Sequence, residues 1–290
     1  MAVGGTIDAY LYGDNLVDSG TPGSMFPTKD RVRFPFRVVD VGPNYINIDR
    51  PLPIELRPAW TPVIVPFTST TSDSGLEHFT ARFKWSTYDD HLDAKGYNAI
   101  AVYETINCWV RQIKIIDATN GIFMSGNEFI TASDIAFSIT AERGRGAMAT
   151  RKVHGHHAMQ MANGAYNLQT RLNIGARYYH DLSVDALLHL SVYNDVTGVD
   201  INIDNHKAGA NSTWWNVYSP SRQLGLPTAS GVVDCSVGPL LNWIGPFSSS
   251  VVDGMCAATR WTVDNIGAGK TLYPPDLFRA MRSYRNLLPG

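Results

Sequence analysis

Apolar residues recur two apart at regular places along the chain. Ile100 and Val102, Ile122 and Met124, Met159 and Met161, Leu182 and Val184, and Ile201 and Ile203 form one series, whose first members lie 22, 37, 23 and 19 residues apart. A second series runs between them: Ile113 and Ile115, Ile135 and Phe137, Leu172 and Ile174, Leu190 and Val192, and Trp215 and Val217, with steps of 22, 37, 18 and 25 residues. A spacing of two within each pair is the strand period, because successive side chains on a strand face opposite ways. Recurrence at roughly 20 to 25 residues predicts a stacked repeat, a solenoid, in which no single coil buries its own apolar edge and its neighbours supply the core. Both series lengthen across residues 140 to 155, which predicts one inserted loop in an otherwise regular stack.

The flanks read differently. Residues 1–30 hold Gly, Asp, Ser and Pro with brief apolar content and are expected to form an irregular leader or cap. Val38 and Val39, then Ile46 and Ile48, mark two strands across a Gly-Pro turn. The stretch RPLPIELRPAWTPVIVPF carries five prolines, which exclude central antiparallel strands. GLEHFTARFKW and WTVDNIGAG read as further alternating units. Leu277, Phe278, Met281, Tyr284 and Leu287 have near-helical spacing and predict a short helix covering the final coil. The expected division is therefore 1–30 leader or cap, 31–270 stacked strands and 271–290 C-terminal cap.

Charge narrows the partners. A net charge of -2 and 17% charged residues, with no long Lys or Arg stripe, argue against nucleic acid. No apolar run approaches the roughly 18 residues of a membrane span, and the first residues lack the basic and apolar segments of a secretory signal. Three cysteines are too few for a disulfide scaffold and are not spaced as a metal site. Cys108 beside Trp109 reads as a buried thiol, while pairing of Cys235 with Cys256 is left open.

The stretch from His154 to Lys207 concentrates the candidate chemistry. With the apolar pairs inward, His156, Ala158 and Gln160 lie on one outward row, Tyr179, Asp181 and Ser183 on the next, and Asp200, Asn202 and Asp204 on the third. Stacked strands lie about 4.8 Å apart, so Asp181 is expected beside Asp200 with His156 and Tyr179 alongside. His206 and Lys207 fall at the following turn, His157 and His180 have inward parity, and Arg171 and Trp214 face outward on a neighbouring face.

The candidate catalytic residues are His156, Tyr179, His180, Asp181, Asp200, Asp204 and His206. The candidate substrate-binding residues are Arg151 and Lys152 on the inserted loop, together with Arg171, Arg177, Lys207 and Trp214. Proton abstraction beside a sugar carboxylate needs a base, a cationic or metal electrophile and an acid. Glycoside hydrolysis needs instead two carboxyl groups about 5 to 9 Å apart, a role open to Asp181 with Asp204. A metal set of His156, Asp181 and His206 would draw ligands from three coils and is not assigned. Asp89, Asp90, His91 and Asp93 lack the alternate-oxygen spacing of a calcium loop. No cofactor is assigned, and calcium is left open without ligands.

The units GYNAI, NCWVRQIKIIDATNGI, SDIAFSI, GHHAMQM and YHDLSVDALLHLSVYND resemble the right-handed parallel β-helix proteins of the pectate-lyase-like class over residues 32–270. The resemblance implies an all-β, single-domain right-handed parallel β-helix with a short C-terminal capping helix. It further implies a polysaccharide partner, an extracellular or cell-surface location, and activity as a polysaccharide lyase or glycoside hydrolase. The alternative is a non-catalytic structural or assembly protein, a surface filament, sheath or spike component that self-associates. Gly155-His156 resembles the Gly-His-Gly element of the polygalacturonases, with His157 in place of the second glycine and no matching Asn-Thr-Asp or Asp-Asp pair. The calcium aspartates and catalytic arginine of the pectate lyases are likewise not matched residue by residue, so neither mechanism transfers.

Overall fold

A computed structural model of the chain describes residues 33–54, 56–69, 71–88, 93, 96–143, 153–185, 190–199, 201, 203–205, 212–218, 241–245, 261–265 and 272–285. The protein is mostly β. Its elements are β1 (Val38–Val41), β2 (Ile46–Ile48), β3 (Thr71–Ser72), β4 (Gly75–Arg82), β5 (Asn98–Tyr103), β6 (Thr105–Ile106), β7 (Trp109–Ile116), β8 (Asn120–Ser125), β9 (Thr131–Ser138), β10 (Gly155–Ala162), β11 (Leu168–Ile174), β12 (Tyr178–Asp185), β13 (Val192–Gly198), β14 (Ile203–Asn205), β15 (Ser212–Tyr218), β16 (Leu241–Gly245), β17 (Trp261–Asn265) and a helix, α1 (Leu277–Arg285). β1 and β2 pair antiparallel. Every other strand pairing among the described residues is parallel, in sheets ordered β14-β12-β10-β8-β5, β17-β16-β15-β13-β11-β9-β7-β4 and β3-β6. From β7 to β15 successive strands alternate between the two large sheets, because parallel neighbours need a crossover connection and cannot be joined by a tight hairpin.

The register makes the repeat more even than the apolar pairs suggest. One column runs Ile100, Ile122, Met159, Leu182 and Ile203, with steps of 22, 37, 23 and 21 residues. The other runs Ile113, Ile135, Leu172, Val196 and Val217, with steps of 22, 37, 24 and 21. Three expected rungs are thereby corrected: Val196 stands in place of Leu190, Val217 in place of Trp215, and Ile203 in place of Ile201. Ile113, Ile122, Ile135, Met159, Leu172, Leu182 and Val196 are all at most 2% exposed, and each contributes about 1.5–3 kcal/mol of apolar burial.

On the eight-stranded sheet the backbone itself interrupts the alternation. His78, Gln112, Asp134, Arg171, Asp195 and Asn216 occupy one column across the eight-stranded sheet, and all have φ between 53° and 60°. A left-handed residue turns the strand and resets its in-and-out alternation. On β15, Trp214 and Val217, three residues apart, are therefore both buried, at 1% and 4% exposure. Strict alternation would have paired Val217 with Trp215.

Between the sheets, side chains replace ladder partners at the turns. Asn127 Oδ1 accepts from the Thr105 N–H, and Asn167 Oδ1 from the Ile130 N–H. Glu128 is buried at the same turn, bridging β6 residue Ile106 to Ala165, and its Oε2 accepts from the Ala165 N–H at 2.9 Å. Burial pushes its carboxyl up to about 8, against the opposing pull of Arg33 and that N–H.

The C-terminal helix forms as the spacing predicts, but its anchors lie on the outer face of the eight-stranded sheet. Asp276 caps it: Oδ1 accepts from the Arg279 N–H at 2.9 Å and from Asn194 Nδ2 at 2.8 Å, and Oδ2 accepts from Arg171 at 3.0 Å. Trp215 Nε1 donates to the Pro274 carbonyl, and the Leu277 N–H to Asn194 Oδ1. These contacts hold the helix on the middle strands of that sheet, where an end cap was expected. Among the described residues no helix is long and apolar enough to cross a membrane.

Candidate functional site

Asn120, His157 and His180 stand level on β8, β10 and β12. Asn120 Nδ2 donates to Asn98 Oδ1 at 2.7 Å, which leaves the Asn120 Oδ1 to face His157. That oxygen accepts from the His157 backbone N–H at 3.2 Å and lies 3.1 Å from Nδ1 of the ring. A carbonyl oxygen only accepts, so the contact places the ring proton on Nδ1 and the lone pair on Nε2. The His157 ring stacks on His180 with centroids 5.0 Å apart, and His156 lies 3.9 Å from His157 and 5.5 Å from His180. Tyr179 stands edge-on to His180 at 4.6 Å and to His156 at 6.3 Å. His157 and His180 are buried and His156 is half-buried. One ring nitrogen from each histidine falls within 4.8 Å of the others, so the trio could hold a metal ion.

The remaining sequence candidates are distributed otherwise. Asp181, expected outward, has no exposed surface, and its Oδ1 accepts from the Tyr178 N–H at 3.1 Å. The reason is that β12 is buried on both faces: His180, Asp181, Leu182, Ser183 and Val184 are all at most 8% exposed. The expected Asp181–Asp200 neighbours are also displaced, because the register sets Leu182 against Ile203 and Ser183 against Asp204. Asp204 lies on β14 with its side chain outside the described atoms, and Asp200, His206, Lys207, Arg151 and Lys152 lie outside the described residues. Trp214, expected outward for stacking, is buried with its ring parallel to Tyr193 at 3.8 Å. Arg171 is committed to carboxylates, Nε and Nη2 donating to Asp134 at 2.6 and 2.7 Å and Nη1 to Asp276. This bonding holds the Asp134 carboxyl below its ordinary range. Arg177 is half-buried, its N–H donating to Nδ1 of His154 at 3.0 Å. Burial lowers the pKa of His154, which therefore serves as a neutral acceptor.

The inserted loop also turns inward at its start. Arg143, one of its basic residues, is fully buried; it donates to Thr119 Oγ1 at 3.1 Å and to the Asp117 carbonyl, and lies 6.0 Å over the Tyr88 ring. Cys108 is buried with a free thiol, as its place beside Trp109 predicts.

Sequence reasoning missed a groove of about 570 Å³ where α1 lies over the eight-stranded sheet. Its walls include Trp109 and Arg111 of β7, Phe129 before β9, Asp134, Arg171, and Phe278 and Arg282 of the helix. The Arg111 guanidinium lies 5.4 Å from the Trp109 ring centre and pairs with Glu77, while Arg282 lies 5.8 Å over Phe278. No local signal marks this groove, since its two walls are separated by more than a hundred residues and are brought together by the contacts that dock α1 on the sheet.

No family model matches the chain, and no curated protein matches it. Among solved structures it is similar to the DFA-IIIase of Arthrobacter chlorophenolicus A6, determined in complex with DFA-III, at 12% identity and a TM-score of 0.34. The match covers 77% of this chain and 61% of that one, so it spans less than two thirds of that enzyme's length.

Proposed function

We propose that the chain is a right-handed parallel β-helix that binds an acidic polysaccharide along the groove beneath α1. Two features support the architecture: successive strands alternate between parallel sheets, and both apolar columns advance by matching steps. The observation that carries the function is the lining of the 570 Å³ groove, where aromatic rings from Trp109, Phe129 and Phe278 stand beside the guanidinium groups of Arg111 and Arg282. Aromatic faces stack on sugar rings, and guanidinium forks bind uronate or sulfate groups. A polysaccharide of that kind fits an extracellular or cell-surface setting.

Neither chemistry is assigned to the groove: His156, Tyr179 and His180, which bring imidazole and phenol groups together, lie on the five-stranded sheet, and Asp181, a carboxyl that hydrolysis would use, is buried. Affinity electrophoresis through gels containing polyuronate, sulfated and neutral glycans tests binding. Retardation by the acidic polymers is expected, weakened about tenfold by Trp109→Ala or Arg282→Ala, which corresponds to about 1.4 kcal/mol per variant. Absence of retardation by every acidic polymer refutes the reading. Ultraviolet absorbance of unsaturated products, set against new reducing ends, separates lyase from hydrolase.

A second reading, a self-associating structural protein, draws on the first third of the chain. Val63, Ile64 and Val65 are 63–67% exposed, and Leu76 and Phe79 are exposed on β4, the end strand of its sheet. Light scattering across a concentration series decides it, a monomer at every concentration counting against assembly.

A further inference from the structure

We propose that His156, His157 and His180 bind one divalent transition-metal ion of the zinc class. The site is independent of the glycan groove, which lies on the other large sheet. Imidazole nitrogens suit zinc, cobalt, nickel and copper and disfavour calcium and magnesium, which take oxygen ligands. Zinc–nitrogen bonds of about 2.0–2.1 Å in a tetrahedron place ligand atoms about 3.3 Å apart. One ring nitrogen from each histidine already lies within 4.8 Å of the others, and with His157 held by Asn120 the soft χ2 of His156 and His180 is what lets their nitrogens move closer.

The stronger argument is orientation. A metal-binding histidine characteristically donates its second ring N–H to a fixed acceptor, which sets the tautomer and aims the other nitrogen at the ion. Asn98 fixes the Asn120 amide, the Asn120 Oδ1 holds the Nδ1–H of His157, and Nε2 is thereby left as the ligand atom. Its neighbours complete the setting: Phe123 meets His157 edge-on at 5.7 Å and Tyr179 borders His156 and His180, so the rings are walled by aromatic surface. Three imidazoles leave the fourth tetrahedral position for water or an external ligand, and half-buried His156 is the side from which it would enter.

The test uses the tag-free full-length chain, stripped with chelator and titrated with Zn²⁺ by calorimetry and with Co²⁺ by visible spectroscopy. One equivalent of ion, an intense tetrahedral Co²⁺ spectrum and a higher melting temperature with Zn²⁺ are expected. His180→Ala should abolish the Co²⁺ spectrum, and Asn120→Ala should weaken binding about 10- to 100-fold without changing stoichiometry. His78→Ala, on the exposed face of β4, should match the wild type. Failure of the wild-type chain to bind one equivalent overturns the proposal, as does a Co²⁺ spectrum that survives in folded His156→Ala, His157→Ala and His180→Ala chains. One measurement requires no variant: nitrogen-15 imidazole correlations of the metal-free chain should show His157 protonated at Nδ1, and protonation at Nε2 alone overturns the assigned geometry.

Discussion

Replacing Glu128 with glutamine isolates the consequence of burying a carboxyl at the turn between β8 and β9. Burial raises its pKa from 4.5 to about 8. Between those values the unfolded chain has released the proton while the folded chain still holds it. Unfolding therefore releases a proton, and stability falls as pH rises. The contribution is fully present below the unfolded value of 4.5 and is lost as pH climbs to the folded value near 8. At about 1.4 kcal/mol per unit, the whole span amounts to about 5 kcal/mol, a ceiling that any approach of Arg33 to the carboxylate lowers. Glutamine stays neutral, nearly matches the shape and keeps an oxygen for the Ala165 N–H. Urea denaturation of both proteins at about pH 5 and about pH 9 reads the difference. The two should be similar at the lower pH, and the variant should be the more stable by up to about 5 kcal/mol at the higher one. Parallel stability curves for the two proteins would show that Glu128 ionises in the folded state as it does in water, and would refute the reasoning.

Trp214→Ala should cost about 3–5 kcal/mol in urea denaturation, because it empties a buried site and strips the stacking partner from Tyr193; a loss below about 1 kcal/mol would restore the outward reading of Trp214. Asp276→Ala should destabilise the chain by about 3 kcal/mol, since a helix cap and a charged hydrogen bond to Arg171 vanish together, and limited proteolysis should then cut in α1 first. Exposed Gln112 has φ 54°, so Gln112→Gly should raise stability by about 1 kcal/mol and Gln112→Val lower it, as thermal melts would record.

Much of the strand order was legible because it is local. Ile122 with Met124 and Met159 with Met161 announce their strands by spacing alone, and the shared step of 37 residues places the one long connection between β9 and β10. The same alternation breaks across a residue in the left-handed region, and it misled where an expected pair spanned one, as Trp215 and Val217 span Asn216. Asp and Asn enter that region more readily than most residues, but the identity of Gln112, Asp134 or Asn216 does not fix a positive φ at its position, and the misplacement of Trp214 follows from the torsion at Asn216. Asp181 failed for another reason: parity assigns a face to a side chain but does not state whether the face is covered.

The candidate sites divide along the same line. His156, His157 and His180 attract notice as residue types, yet the Asn120 contact that sets the His157 tautomer joins residues 37 apart in the chain. The groove depends on Asp276 reaching Arg171, 105 residues away. The sequence by itself determined most of the strands, their approximate spacing and the stretch of chain that forms the terminal helix, because alternation and helical periodicity are properties of neighbouring residues. Only the tertiary structure decided which polar groups are buried, which rings face one another and which arginines line a cavity. Those properties arise from contacts between strands and between helix and sheet, where burial and hydrogen bonding act on groups that the order of the chain keeps apart.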